Sequence, residues 1–449
     1  MKHIYDLVGI GFGPSNLALA VAIAENPHNT ISAIFLEKKA SFSWHPNMLL
    51  NDTEMQISFL KDIVTLRNPS SQFTFLNYLH SKNRLNSFAN LRKFYPSRIE
   101  FNDYYAWVAK QLEDTVNYAC HVIDIVPHGN QPHQLLKVMY EYKNVKNEII
   151  QTYVLTKNVV VATGGIPAIP KTIKLKSNSQ RVWHSSTYLT HIEKFKSSTE
   201  NYHFCVIGGG QSAAEITYDL YQTFPHAKVT CVHRGFGLKP ADDSEFINEL
   251  FFPDNIDLFY HKPENTRQKI LASHRDTNYA VVDIDLIQKL YQIKYQESVT
   301  NQQRLYFKRL TSLETIQEND DHVAVSLKNL MLTSQIETVK ADAVILATGY
   351  TYDCPPPCLK KLSPYFVYNH LNLPNVTRYH QLITTPELQT GIYVQGYNEN
   401  THGLTDTLLS ATSVRAKEIL DQIVLAANKQ KSCFESCDYP YGQHYEYHF

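Results

Sequence analysis

The chain has almost no excess of either charge: 42 Lys and Arg against 43 Asp and Glu leave a formal net charge of −1 over 449 residues. No global field then draws it to nucleic acid or to an anionic membrane. It also lacks any apolar run near the roughly 18–20 residues that a membrane-spanning helix needs. The run from Leu17 to Ala24 is preceded by a glycine turn, which argues for a folded helix rather than a secretory leader. Seven cysteines stand at scattered positions, and no Cys-x-x-Cys occurs. The odd count is no disulfide framework, so a cytoplasmic location is expected, and the missing Cys-x-x-Cys excludes a dithiol redox pair. Cys354-x3-Cys358 and Cys433-x3-Cys437 have no histidine pair to complete a ligand set, and the first encloses three prolines. No metal is expected.

What the chain does have begins at residue 5. The short apolar run Tyr5–Ile10 leads into Gly11-Phe12-Gly13-Pro14-Ser15-Asn16, and an Ala/Leu/Val helix pattern follows to Ala24. Strand, glycine turn and helix is the layout of a dinucleotide-binding unit. Gly11 permits the sharp turn, Gly13 permits close approach of a diphosphate, and the helix N-terminus that begins with Pro14 and Ser15 offers free N–H groups to it, from Ser15 onward since proline has none. Asn16 replaces the third glycine of the fingerprint, which alone would leave a ligand-free turn as a serious alternative. Glu37, 24 residues after Gly13 at the end of the strand Ile31–Leu36, strengthens the case. A carboxylate there accepts from both ribose hydroxyls and repels a 2′-phosphate, so FAD or NAD is expected and NADP disfavoured.

The same layout returns at Phe204–Glu215, with Gly208, Gly210 and Ala213 in the fingerprint positions. Its next strand ends in His233-Arg234, and Arg234 follows Gly210 by the same 24 residues that separate Glu37 from Gly13. An arginine at that place pairs with a 2′-phosphate, so the second site is expected to take NADP(H). Two apolar strands run into Ala-Thr-Gly turns, at Ala162-Thr163-Gly164 and Ala347-Thr348-Gly349. They mark an exit from the first unit and a return to it.

The fold class expected is α/β: two Rossmann-like dinucleotide-binding domains, the second inserted into the first, with a small, mostly helical substrate region. The flavin domain is placed at 1–170 plus 341–449, and the NADPH domain at 171–340. Pro69–Leu79 and Arg92–Trp107 read as short aromatic-rich helices, and Val122–Val126 with Leu135–Tyr142 as meander strands. Asn400–Ser410 opens a helix to about Ala426, and the Tyr/His-rich tail Phe434–Phe449 reads as a wrap or partner contact, or as disorder. The interleaved aromatics, histidine and amide of Ser41–Pro46 and Met55–Asp62 either line the ligand crevice or cover the core.

One FAD-type and one NADP-type site in one chain imply hydride transfer from nicotinamide to flavin. A reductase without oxygen chemistry, a flavin oxygenase acting on sulfur or ketones, and a non-catalytic flavoprotein all share that frame. At this point the chain resembles the flavin-dependent N-hydroxylating monooxygenases, the ornithine, lysine and diamine N-monooxygenases of siderophore biosynthesis. The resemblance covers nearly the whole chain. It rests on Gly11–Leu17, Trp44-His45, Met55–Asp62, Gly208–Glu215, Asp242-Asp243-Ser244, Asn248-Glu249, Thr277-Asn278-Tyr279 and Thr401–Leu404, in that order.

The resemblance implies that NADPH reduces FAD, that O₂ adds at flavin C4a, and that a neutral primary amine takes one oxygen atom to give a hydroxylamine. It implies Gln56, Trp44 and His45 near the flavin ring, and Thr348, Gly349 and Leu408 at the cofactor. Gln211, Ser212 and Arg234 would hold NADPH, and Lys61, Asn248, Asn278 and Ser410 would grip the substrate. Gln56, Lys61 and Asn278 are the residues expected closest to the chemistry. It implies a dimer or tetramer, with no macromolecular partner beyond further copies of the chain. Lys61 suits a carboxylate and favours an amino acid such as ornithine. Glu245, between Ser244 and Phe246 where the ornithine enzymes usually carry proline, would suit the second ammonium of putrescine or cadaverine unless it faces solvent. At the level of sequence both substrates stand.

Overall fold

The computed structural model describes residues 3–26, 31–176, 178–196, 200–332 and 335–435. The expected tail contact at Phe434–Phe449 lies almost wholly outside them, and so does Cys437.

The first sheet contains β1 (Ile4–Ile10), β2 (Ala33–Leu36), β3 (Val116–Asn117), β4 (His121–His128), β5 (Leu135–Lys143) and β6 (Ile149–Val161). Their order is β3-β2-β1-β6-β5-β4. The strands β1, β2 and β6 run parallel, while β4, β5 and β6 form an antiparallel meander. Leu7, Val8 and Ile10 are buried because a parallel sheet is covered on both faces. On one face lie the helix Pro14–Ala24, the aromatic helices and the helix Thr412–Glu435. The helix Pro14–Ala24 starts on a proline, which needs no N–H partner there, and is buried through Leu17–Ala22.

Between the two Ala-Thr-Gly turns the chain builds a second sheet. A short ribbon carries it across: β7 (Ile166–Pro167) pairs antiparallel with β16 (Tyr350–Thr351). The strands β8 (Val182–His184), β9 (His203–Ile207), β10 (Lys228–Val232), β11 (Leu305–Lys308) and β15 (Ala343–Leu346) pair in the order β11-β10-β9-β15-β8. The antiparallel strands β12 (Thr311–Glu318), β13 (Val323–Asn329) and β14 (Ile336–Ala341) cover one face of it. The helices Gln211–Thr223 and Ile284–Thr300 cover the other. The chain then comes home: β17 (Gly391–Val394) adds parallel to β6 in the first sheet.

Three boundaries differ from expectation. The strand β15 belongs to the second sheet, parallel to both β8 and β9, so the return follows Gly349 rather than residue 341. Its four apolar residues are buried, Ala343 and Ile345 on one face of the second sheet and Val344 and Leu346 on the other, which settles their sheet. The aromatic segment forms three helices, Phe75–Ser81, Leu85–Leu91 and Arg98–Gln111. Hydroxyl caps set the outer two: Thr74 accepts from Asn77 N at 3.2 Å and Ser97 from Glu100 N at 3.1 Å. The helix expected from residue 400 is broken at Gly403, whose φ of +77° ends the turn Glu399–His402 before the long helix starts at Thr412.

Candidate active site

At the first glycine turn the backbone leaves β1 through Gly11 at φ +83°, where a Cβ would meet the carbonyl oxygen of Ala162 at 2.7 Å. Gly13 stands in the N-cap position of the helix Pro14–Ala24 with no side-chain cap, and nothing lies within 4 Å of where its Cβ would be. An uncapped helix N-terminus facing open space fits a diphosphate. Glu37 Oε2 accepts from Phe12 N at 2.6 Å and Oε1 from Lys39 N at 2.9 Å, so the carboxylate is clamped beside the turn. Each oxygen keeps acceptor capacity for a ribose hydroxyl. Ser15 Oγ accepts from the buried Arg415 at 3.2 Å.

Asn16 is wholly buried, and its role differs from that of a glycine. Its Nδ2 donates to Gly11 O at 2.7 Å and Ile10 O at 3.2 Å, and its Oδ1 accepts from Gln395 Nε2 at 3.0 Å. The amide stitches the turn to the returning chain.

The second turn repeats the form with a different environment. Gly208 would place a Cβ 2.2 Å from Ala347 O, and Gly210 is the uncapped N-cap residue of Gln211–Thr223. Ser212 lies in the first turn with its hydroxyl unused, and Arg234 is exposed with no ion pair among the described residues. Both are free for a phosphate. Gln211 is not: its Oε1 accepts from Asp283 N at 2.8 Å, and its Nε2 donates to Asp283 Oδ2 at 2.8 Å and Glu215 Oε1 at 2.9 Å. Thr348 likewise spends its hydroxyl on Ala168 O, at 2.5 Å. Gly349, at φ +79°, has open space where a Cβ would be.

Residues of the first unit meet the second unit beside its glycine turn. Trp44 packs edge-on against Tyr105 with ring centroids 5.7 Å apart, and His45 stands edge-on to Tyr350 at 6.1 Å. His45 keeps exposed surface. Desolvation, with Arg98 and Lys39 nearby, pushes its imidazole down to about 4, so it is neutral at physiological pH. Hydrogen bonds join the two units here. Gln56 Nε2 donates to Asp283 Oδ1 at 2.7 Å, and Arg98 grips Glu215 with two bonds of 2.8 Å.

The expected substrate residues lie on segments that are tied pairwise. Gln56, five residues before Lys61, bonds Asp283, five residues after Asn278. Tyr279, next to Asn278, bonds Glu399 and reaches Thr407 at 3.2 Å. Thr405 donates to Leu250 O at 3.2 Å, two residues from Asn248. Lys61 has no partner among the described residues, and burial lowers its ammonium below the usual lysine range. Ser410 Oγ is buried with no partner. Leu408 is half-buried on the same stretch. Asn248 donates to Asp243 O at 2.7 Å, so its carbonyl oxygen is the free end. Glu245 is exposed in the first turn of Glu245–Asn248, without an ion pair among the described residues.

Sequence reasoning missed Asp283, Glu215 and Arg98. It also missed the buried group at His380, His402, Asp406 and Arg415. His402 turns inward, stacked on His380 with centroids 4.1 Å apart, and bonds Arg378 O at 3.0 Å. Among the described residues no cluster fits a metal ion and no helix is long and apolar enough to cross a membrane.

A family model described as L-lysine 6-monooxygenase/L-ornithine 5-monooxygenase matches residues 3–352. An L-ornithine N(5)-monooxygenase of Pseudomonas aeruginosa is 39% identical over 420 residues, 93% of each chain. Among solved structures, an ornithine N-hydroxylase of Kutzneria sp. 744, determined with reduced FAD, NADP⁺ and L-ornithine, superposes with TM-score 0.90. It is 35% identical, over 96% of this chain and 100% of that one. A cadaverine monooxygenase of Erwinia amylovora, bound to FAD, superposes with TM-score 0.82 at 25% identity, over 94% of this chain and 95% of that one.

Proposed function

Because the chain belongs to the L-lysine 6-monooxygenase/L-ornithine 5-monooxygenase family, and is thereby an FAD- and NADPH-dependent monooxygenase, we propose that it hydroxylates the side-chain amine of L-ornithine. The observation that carries the choice of substrate is Lys61. An ammonium that is partly desolvated and unpaired in the protein is held ready for an anion, and a diamine has none to offer. Glu245, the feature that favoured putrescine or cadaverine, faces solvent. The greater likeness to ornithine enzymes than to the cadaverine enzyme points the same way. The hydroxylamine product suits later acylation to a hydroxamate, the iron-binding group of siderophores.

When bound, FAD accepts hydride from NADPH and delivers one oxygen atom of O₂ to the amine. The protein's own groups bind, orient and exclude water. The uncapped helix behind Gly13 holds the flavin diphosphate and Glu37 its ribose, while Ser212 and Arg234 hold the phosphates of NADPH. Lys61 pairs with the substrate carboxylate. Asn278, Ser410 and the free oxygen of Asn248 orient the two amines, the α-ammonium and the reacting group. Trp44 and the neutral His45 border the site without adding a cation beside the reacting amine, which must be unprotonated to offer a lone pair.

Purified holoenzyme with NADPH and O₂ is assayed for hydroxylamine with ornithine, lysine, putrescine and cadaverine. Ornithine alone should give near one hydroxylamine per NADPH consumed. Coupled turnover of a diamine in preference to ornithine overturns the substrate, and coupled turnover of none overturns the reaction.

A further inference from the structure

Asp283 occupies the N-cap position of the helix Ile284–Thr300 but does not cap it. An aspartate there ordinarily accepts an N–H of the first turn, worth about 1 kcal/mol. Here Leu286 N and Ile287 N both go to the backbone oxygen of Asp283, at 3.1 Å each. Its carboxylate reaches elsewhere. Oδ1 takes Gln56 Nε2 from the flavin side at 2.7 Å, and Oδ2 takes Gln211 Nε2 from the NADPH side at 2.8 Å.

The two amides are held very differently. Gln211 has both ends spent, on Asp283 N, Asp283 Oδ2 and Glu215 Oε1, and Glu215 is itself fixed by both guanidinium nitrogens of Arg98. Its orientation admits no reversal. Gln56 is exposed and has Asp283 as its one side-chain partner among the described residues. An ionised carboxylate accepts and cannot donate, so it alone decides that Nε2 faces inward and that the acceptor Oε1 is the free end of the Gln56 amide.

We propose that Asp283 is a positioning residue that joins the two nucleotide sites and fixes the polarity of the Gln56 amide, presenting its carbonyl oxygen as an acceptor to an N–H of the bound flavin or nicotinamide. The proposal rests on the reading that Gln56 borders the flavin. It explains why a capping aspartate leaves its own helix uncapped, and why the one amide without a second tether sits opposite a carboxylate. Burial first, then the nearby Glu215, raise the Asp283 carboxyl above its ordinary range, and the Gln56 amide and the charge of Arg98 offset this only in part.

The substitution D283N is nearly isosteric and makes a sharp distinction. Gln211 cannot turn, so the new Asn must aim Oδ1 at it and Nδ2 at Gln56. Gln56 must then reverse and expose its N–H₂ group. A second change, Q56E, puts an acceptor back at the free end. The first readout is the visible circular dichroism of bound FAD in the oxidised holoenzyme without NADPH, which needs no turnover. D283N and Q56A should each shift that spectrum, D283N should add nothing in the Q56A background, and Q56E/D283N should restore the native form. With NADPH and ornithine, the share of NADPH lost to hydrogen peroxide should rise about fivefold in D283N, the loss of one net hydrogen bond. A D283N spectrum and peroxide share equal to the wild type overturn the proposal. So does a D283N shift that persists in full in the Q56A background, or one that Q56E leaves in place. A wild-type enzyme that hydroxylates no amine would overturn the proposed function, while the dichroism of the holoenzyme would still decide the role of Asp283.

Discussion

Replacing Lys61 by alanine should separate binding from folding. In the free protein the ammonium is partly buried and has no partner among the described residues, so it contributes desolvation cost and no ion pair. Its loss should leave thermal stability unchanged or slightly higher. If it takes the substrate carboxylate, as proposed, the same group makes a charge-assisted hydrogen bond of about 1.5–3 kcal/mol. That predicts a KM for ornithine raised by about 10- to 150-fold, since each 1.4 kcal/mol is tenfold. The carboxylate lies at the far end of the substrate from the reacting amine, so kcat should fall much less than KM rises. Lysine carries the same carboxylate and should lose its residual activity alongside ornithine, whereas weak turnover of putrescine should change little. Initial rates of hydroxylamine formation over a range of each substrate give both constants. An unchanged KM for ornithine in K61A, with the fold intact by circular dichroism, refutes the assignment of Lys61 to the carboxylate and with it the argument for an amino acid.

Two other outcomes follow from the geometry. Gly13→Ala is tolerated by the backbone, at φ −80° with open space at the Cβ, so the apoprotein should melt as the wild type does. The methyl would occupy the space a diphosphate needs, and the dissociation constant for FAD, read by fluorescence quenching, should rise about tenfold or more. The second concerns acid stability: desolvation first, then the neighbouring His380, pushes His402 down to about 3. A histidine of depressed pKa binds fewer protons folded than unfolded between the ordinary value near 6.5 and about 3, so its stabilisation is full above that window and fades as pH falls through it. Denaturant melts of wild type and H402Q should therefore converge as pH drops from 6.5 towards 4, and parallel curves would contradict a buried neutral imidazole.

The two glycine turns were legible because their chemistry is local. A strand must end, a turn must leave room, and a helix must start, all within a dozen residues. The charge at Glu37 and Arg234 could be read from spacing alone for the same reason. The exit and return between sheets were legible in outline, but β15 could not be assigned. A four-residue apolar strand suits either sheet, and only the pairing of Val344 with Val182 and Cys205 decides. Asp283 was hidden by its own sequence context. An aspartate before Ile-Asp-Leu-Ile reads as a helix cap, and nothing local says that its carboxylate turns away to a residue more than 220 positions earlier. Arg98, just after the capping Ser97, and Glu215, inside an amphipathic helix, are masked in the same way. His402 was hidden too: nothing local says that a histidine beside Gly403 turns inward to stack on His380.

Asn16 shows why the first fingerprint departs from three glycines. A glycine at that place serves close packing of helix on strand, and here the side chain fills the gap and is paid for by its hydrogen bonds. Its oxygen takes Gln395 Nε2, Gln395 Oε1 takes Arg415 at 3.1 Å, and Arg415 reaches both Asp406 O at 2.6 Å and Ser15 Oγ. The residues that shape the first glycine turn are thus fixed by chain almost 400 residues later. Asp406 is fully buried in this group. Burial opposes its charge, but His380 and Arg415 hold the carboxyl down to about 2, and the pair stays ionised. A first unit made only of residues before Gly164 would leave Asn16 and Ser15 without these partners. The first glycine turn therefore has its full set of partners only with the returning chain in place.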